Sequence, residues 1–147
     1  MPRHTRYQGF IVHNDHVLLI RHEQRATGHG FWVIPGGGRE DGETEEECVV
    51  REMLEETNLQ VCVERLLFET QLPEGEPYQR LKTYLCTPIS GEASPGHEPE
   101  PEAAEHYTIS AVRWLDLHDM SFWPEDLHEA RYTYLHLVRL REHLGYM

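Results

Sequence analysis

The sequence predicts an α+β fold, with strands between and around two helices, and three observations carry that expectation. Short runs rich in β-branched and aromatic residues recur through the chain, two stretches have helical spacing, and the connectors are built of Gly, Pro, Asn and Asp. Helices layered on a sheet, an α/β/α sandwich, is the architecture that buries such elements.

Residues 7–12 and 16–21 are rich in strand formers and are separated by His13, Asn14 and Asp15, which is turn chemistry, so a hairpin is expected. A polar loop over 24–30 leads to a strand at 30–34. Pro35 and glycines 36, 37 and 38 sit poorly inside a helix or a central strand, so the chain is expected to turn there. A helix over 45–57 follows. Thr44 and Glu47 have capping-box spacing, Glu45, Glu46 and Glu47 fall in the first turn, and Asn58 stands where a left-handed residue closes the last. Val50 and Leu54 point away from Glu52, Glu55 and Glu56, so one side is expected to pack and the other to form an acidic ridge.

The next strand centres on 61–68, and a turn with two prolines spans 72–79. Residues 80–89 alternate, with Leu81, Thr83, Leu85 and Thr87 on one face and Lys82, Tyr84 and Cys86 on the other. Residues 90–105 carry proline, glycine and acid with little to bury, so an exposed, mobile loop is expected, of a kind that often serves as a lid. Strand pattern returns over 106–117 and a connector spans 116–123. A second helix is expected to start at Pro124, with Leu127, Ala130, Tyr134, Leu137, Val138 and Leu144 as its apolar stripe and Gly145 as its stop.

At 147 residues the chain, 1–147, reads as one domain long enough to bury a core. Its net charge of -13 repels long nucleic acid, leaving a small phosphorylated substrate whose charge metal ions offset. No apolar run reaches the length of a membrane span, so no membrane partner is expected, and the first ten residues lack the apolar centre of a signal peptide. A cytoplasmic location is the resulting expectation. Cys48, Cys62 and Cys86 are expected to be buried free thiols. His136 and His143 share a helix face but have no third ligand at useful spacing.

The chemistry concentrates in residues 37–59. Glu52, Glu55 and Glu56 lie within about a third of the helix circumference. Carboxylates so close repel, which raises the pKa of at least one unless a cation neutralises them, and hard divalent ions suit oxygen ligands. The plain alternative is a solvated acidic face. Gly37, five residues, Glu43, seven residues, then Arg51-Glu52-Met53-Leu54-Glu55-Glu56-Thr57-Asn58-Leu59 resembles the Nudix box, G-x5-E-x7-R-E-U-x-E-E-x-G-U with U bulky and apolar, at eight of its nine specified positions. The departure is Asn58 for the last glycine, an exchange that a left-handed cap tolerates.

That resemblance implies a mixed central β-sheet between helices and water attack on phosphorus to hydrolyse a diphosphate linkage in a small nucleotide or nucleoside diphosphate derivative. It implies Mg2+ as cofactor, with Mn2+ as its substitute. Glu52 and Glu56 become metal ligands, with Glu55 as a third and the carbonyl of Gly37 as a fourth; Glu43 and Arg51 hold the loop against the helix. The catalytic base is Glu55, Glu56 or a glutamate of the later loop, where Glu105 is nearest the family's position, with Glu102 and Glu98 behind it. Arg21, Arg80, Lys82 and Tyr84 are the candidates for substrate binding. A homodimer stays open as an assembly. Two other readings exist: a nucleotide-sensing domain of the same family that does not cleave its ligand, and an isomerase acting on an isoprenoid diphosphate.

Overall fold

In the computed structural model, which describes residues 4–97 and 101–146, strands β1 (Thr5–His13) and β2 (His16–Gln24) form the expected hairpin. Asn14 and Asp15 have φ of 49° and 61°, the two left-handed residues that let a tight turn follow the strand twist, and His13 pairs with His16. Both strands are apolar on both faces because both faces are covered. Phe10, Val17 and Leu19 pack with Leu137 and Leu140 on one side, and Ile11 and Leu18 pack with Val49 and Met53 on the other.

The hairpin joins the two halves of a seven-stranded mixed sheet. On one side, β3 (Gly30–Val33) and β7 (Tyr107–Asp116) flank β2, both antiparallel. On the other, β6 (Arg80–Gly91) runs parallel to β1 and antiparallel to β5 (Leu59–Gln71). Helix α1 (Glu45–Thr57) covers one face and α3 (Thr133–Leu144) packs on the other, while α2 (Pro101–His106) precedes β7. This is the α+β arrangement the sequence predicts, with the mixed sheet that the resemblance implied.

Five expectations need correction. The glycine run is a short strand, β4 (Gly36–Gly38), paired antiparallel with β1. Glycine is needed there for closeness: a Cβ on Gly36 would stand 2.4 Å from the carbonyl oxygen of Tyr7. The packing side of α1 is Cys48, Val49 and Met53, and it takes Glu52 and Glu56 down with it, whereas Leu54 is 45% exposed. Cys62 is exposed on the edge strand β5. The acid-rich stretch 90–105 is neither continuous loop nor loose along its length: β6 extends to Gly91, residues 94–97 hydrogen-bond the end of α1, and α2 follows. Glu98 lies outside the described residues. Finally, the helix expected from Pro124 is broken, with a 3-10 turn at Glu125–Glu129, extended backbone at Ala130, and α3 only from Thr133. The break places residues 129–133 along the wall of a cavity.

Candidate functional site

Helix α1 begins and ends as its sequence signals. Thr44 Oγ1 accepts from Glu47 N at 3.1 Å, Thr44 N donates to Glu47 Oε1 at 2.8 Å, and Asn58 closes the helix with φ of 62°. Between those caps, the register delivers Glu52 and Glu56 to the interface with β4. Glu52 is 1% exposed and Glu56 is 2% exposed. Glu56 Oε1 accepts from Gly36 N at 2.7 Å, and a Cβ on Gly37 would stand 2.4 Å from Glu52 Oε1. Glycine at 37 is thus the space that the Glu52 carboxylate occupies.

Arg51 organises the acids from outside. It grips Glu43 with two bonds, Nε to Oε2 at 2.7 Å and Nη2 to Oε1 at 2.9 Å. Its Nη1 donates to Glu52 Oε1 at 3.0 Å and to Glu55 Oε2 at 3.2 Å, and Nη2 reaches the Gly38 carbonyl at 3.1 Å. The guanidinium is stabilised in its charged form by Glu43, whose own carboxyl is held below its usual range by that hydrogen bond. Glu43 and Arg51 therefore tie the loop before α1 to the acidic ridge.

One charge is only partly compensated. Glu52 Oε2 is buried with no hydrogen-bond partner, and burial pushes the Glu52 carboxyl up to about 7 despite Arg51. A buried carboxylate oxygen with nothing to bind is what a cation would satisfy. Among the described residues no three His, Cys, Asp or Glu side chains already converge as a ligand set, because Arg51 holds Glu52 and Glu55 while Gly36 N holds Glu56. The donors are all oxygens, the set that suits magnesium or manganese, and the residues fit such an ion once the side chains turn toward it.

Glu56 also lines a cavity of about 470 Å3 on the opposite side of the sheet from the body of α1. Phe31, Tyr78, Tyr107 and Tyr132 supply its aromatic walls, and Arg6 and Arg131 its cations. Strand alternation decides which candidates reach it. Leu81 lines the cavity, so its neighbour Lys82 and then Tyr84 face α1, where both bind Glu45, the lysine at 2.8 Å. Ile20 and His22 line it too, and Arg21 between them turns to Asp126 at 3.1 Å and to the ring of Trp32. Arg80 is exposed at the start of β6, outside the lining. None of the four residues expected to bind substrate faces this cavity.

Glu105 is exposed on α2 and borders a neighbouring cavity with Gln24 and Arg25; Tyr107 lines both cavities. Arg6, Gln8, Phe31, Tyr107 and Tyr132 line the cavity and carry no functional expectation from the sequence. Arg6 and Gln8 sit at alternate positions of β1 opposite Gly38 and Gly36, so the pairing of β1 with the glycine strand was the signal that would have found them.

Comparison with known proteins agrees with this geometry. The chain is 34% identical over 89 residues to an NAD-capped RNA hydrolase NudC of Photobacterium profundum, a match covering 60% of this chain and 32% of that protein. It is 35% identical over 92 residues to an ADP-ribose pyrophosphatase of Methanocaldococcus jannaschii, covering 61% of this chain and 54% of that one. The matches thus span from about a third to about half of these relatives' lengths. The fold is shared with a NUDIX hydrolase of Nitrosomonas europaea, at a TM-score of 0.74 and 23% identity over 99% of this chain and 75% of that one. It is shared as well with an ADP-ribose pyrophosphatase of Streptococcus suis, at 0.69 and 22% over 97% and 91%. The NUDIX domain model matches residues 3–138, and with the box residues gathered at one end of α1 the chain belongs to the Nudix family.

Proposed function

We propose that the protein hydrolyses a diphosphate linkage in a small nucleoside diphosphate derivative, using a divalent metal ion. The observation that carries this reading is Glu56, which is at once a box carboxylate buried beside Glu52 and part of the wall of the aromatic cavity. A substrate in that cavity has its phosphates beside the acidic ridge.

Glu52, Glu55, Glu56 and the carbonyl of Gly37 are the groups that would hold the ion. When bound, Mg2+ or Mn2+ offsets the negative phosphate oxygens and lowers the pKa of a water. The chain's own residues do the rest. Arg51 and Glu43 hold the carboxylates in register, and Arg6, on the cavity wall with its Nη2 on the Ile34 carbonyl at 2.8 Å, supplies a positive charge toward a phosphate. Phe31, Tyr78, Tyr107 and Tyr132 offer faces on which a base or ribose can pack. Glu55, 25% exposed at the edge of the ridge, takes the proton from the attacking water in this reading, and its partial exposure supports that role. Glu105, beside the adjoining cavity, is the competing base.

NAD-capped RNA and ADP-ribose, the compounds in the relatives' names, share an ADP unit joined through its diphosphate to a second ribose. That class is the leading substrate. A net charge of -13 favours such small anions over long nucleic acid. The test is a screen of ADP-ribose, NAD, nucleoside triphosphates, dinucleoside polyphosphates and sugar nucleotides with Mg2+ or Mn2+, read as monophosphate or phosphate release. Turnover abolished by Glu56→Gln in a folded protein supports the reading. Tight binding with no turnover on any compound overturns it in favour of a nucleotide sensor, and comparing Glu55→Gln with Glu105→Gln assigns the base.

A further inference from the structure

We propose that residues 93–97 form a strap that positions the carboxylate ridge, with Asn58 as its latch; the inference rests on the reading of Glu52, Glu55 and Glu56 as metal ligands. The last four carbonyls of an α-helix find no partner within it. Here all four are met. Leu54 O accepts from Asn58 N at 3.0 Å, Glu55 O from His97 N at 2.9 Å, Glu56 O from Gly96 N at 2.9 Å, and Thr57 O from Ser94 N at 3.0 Å. Two of these carbonyls belong to ridge residues themselves. The approach is so close that a Cβ on Gly96 would stand 1.9 Å from Glu55 O.

The side chain of Asn58 adds what the family's glycine cannot. Its Nδ2 donates to Ser94 Oγ at 2.9 Å and lies 3.3 Å from the carbonyls of both Ser94 and Pro95. A glycine at 58 would keep the left-handed cap and lose all three contacts. The exchange therefore adds a tie between the end of α1 and the strap without altering the cap. Arg51 fixes the ridge from the side of Glu43, and the strap fixes the backbone of the final turn, which carries Glu55 and Glu56. A ligand carboxylate is placed only as well as the groups behind it are held. Coupling of this kind is reciprocal: an ion that draws the carboxylates together also favours the closed strap.

The test measures hydrogen exchange over residues 91–97, with and without Mn2+, and Mn2+ affinity by titration calorimetry, on the wild type, Asn58→Gly and Gly96→Ala. The expected results are slower strap exchange in the wild type when Mn2+ is added, and exchange about fivefold faster in Asn58→Gly. Mn2+ affinity falls about threefold in Asn58→Gly and about tenfold in Gly96→Ala, with circular dichroism unchanged. A merely structural role would lower the melting temperature and leave affinity alone. Equal Mn2+ affinity in all three proteins, or strap exchange indifferent to both Mn2+ and Asn58→Gly, overturns the strap by itself. A wild type that binds no Mn2+ refutes the metal-ligand reading and the positioning role with it.

Discussion

Replacing Glu52 by glutamine should stabilise the metal-free protein, and by more the higher the pH. Glu52 is displaced from 4.5 to about 7 because burial penalises its charge more than Arg51 compensates. A folded-state pKa above the unfolded one means that the folded protein binds more protons between those values. The contribution of Glu52 is therefore fully present below about 4.5 and is lost as pH rises through about 7. At about 1.4 kcal/mol per pH unit the displacement amounts to about 3 kcal/mol as an upper bound. Glutamine keeps an acceptor for Arg51 Nη1 and removes the charge. Urea unfolding in chelator from pH 4 to 8 should show Glu52→Gln equal to the wild type at the acid end and more stable by up to about 3 kcal/mol at the alkaline end. Saturating Mg2+ should reverse the order, since only the wild type gains from the ion. A stability difference that does not change with pH would refute the argument that burial of Glu52 outweighs its pairing with Arg51.

Other consequences follow from the same contacts. Mg2+ at a hundredfold excess over its dissociation constant should stabilise the wild type by about 2.7 kcal/mol, an increment that chelator removes and that Glu52→Gln and Glu56→Gln lack in thermal melts. Arg51→Leu leaves Glu43, Glu52 and Glu55 without their shared cation and should cost about 3 kcal/mol, read as a fall in the urea midpoint. Gly37→Ala puts a methyl group into the space of the Glu52 carboxylate, and should weaken Mn2+ binding in calorimetry while costing about 1 to 3 kcal/mol in stability. Lys82→Met should lower stability by under about 1 kcal/mol and leave turnover intact, because Lys82 binds Glu45 on the face away from the cavity.

What was legible in the sequence was local. The hairpin turn at Asn14 and Asp15, both caps of α1 and its bounds were written in residues a few positions apart, where turn and capping chemistry is decided. The acidic ridge was legible for the same reason. Which side of α1 packs was not: Glu52 and Glu56 border the apolar stripe, and a helical projection does not reveal that the glycine strand presses against them. Polar composition likewise suggested a free loop at 90–105, because carbonyls at the end of a helix leave no mark in the sequence of the segment that caps them. Arg21, Arg80, Lys82 and Tyr84 lie off the cavity wall for a simpler reason. Alternation puts Lys82 and Tyr84 on one face of their strand, but the face that meets the cavity is set by the pairing of β1 with both β4 and β6.

The most direct test of the account is anomalous diffraction from crystals soaked in Mn2+. It predicts a manganese peak among Glu52, Glu56 and the carbonyl of Gly37, with Glu52 Oε2 turned onto the ion. A well-ordered map showing Glu52 still bonded to Arg51, and no peak beside the ridge at saturating Mn2+, would contradict it.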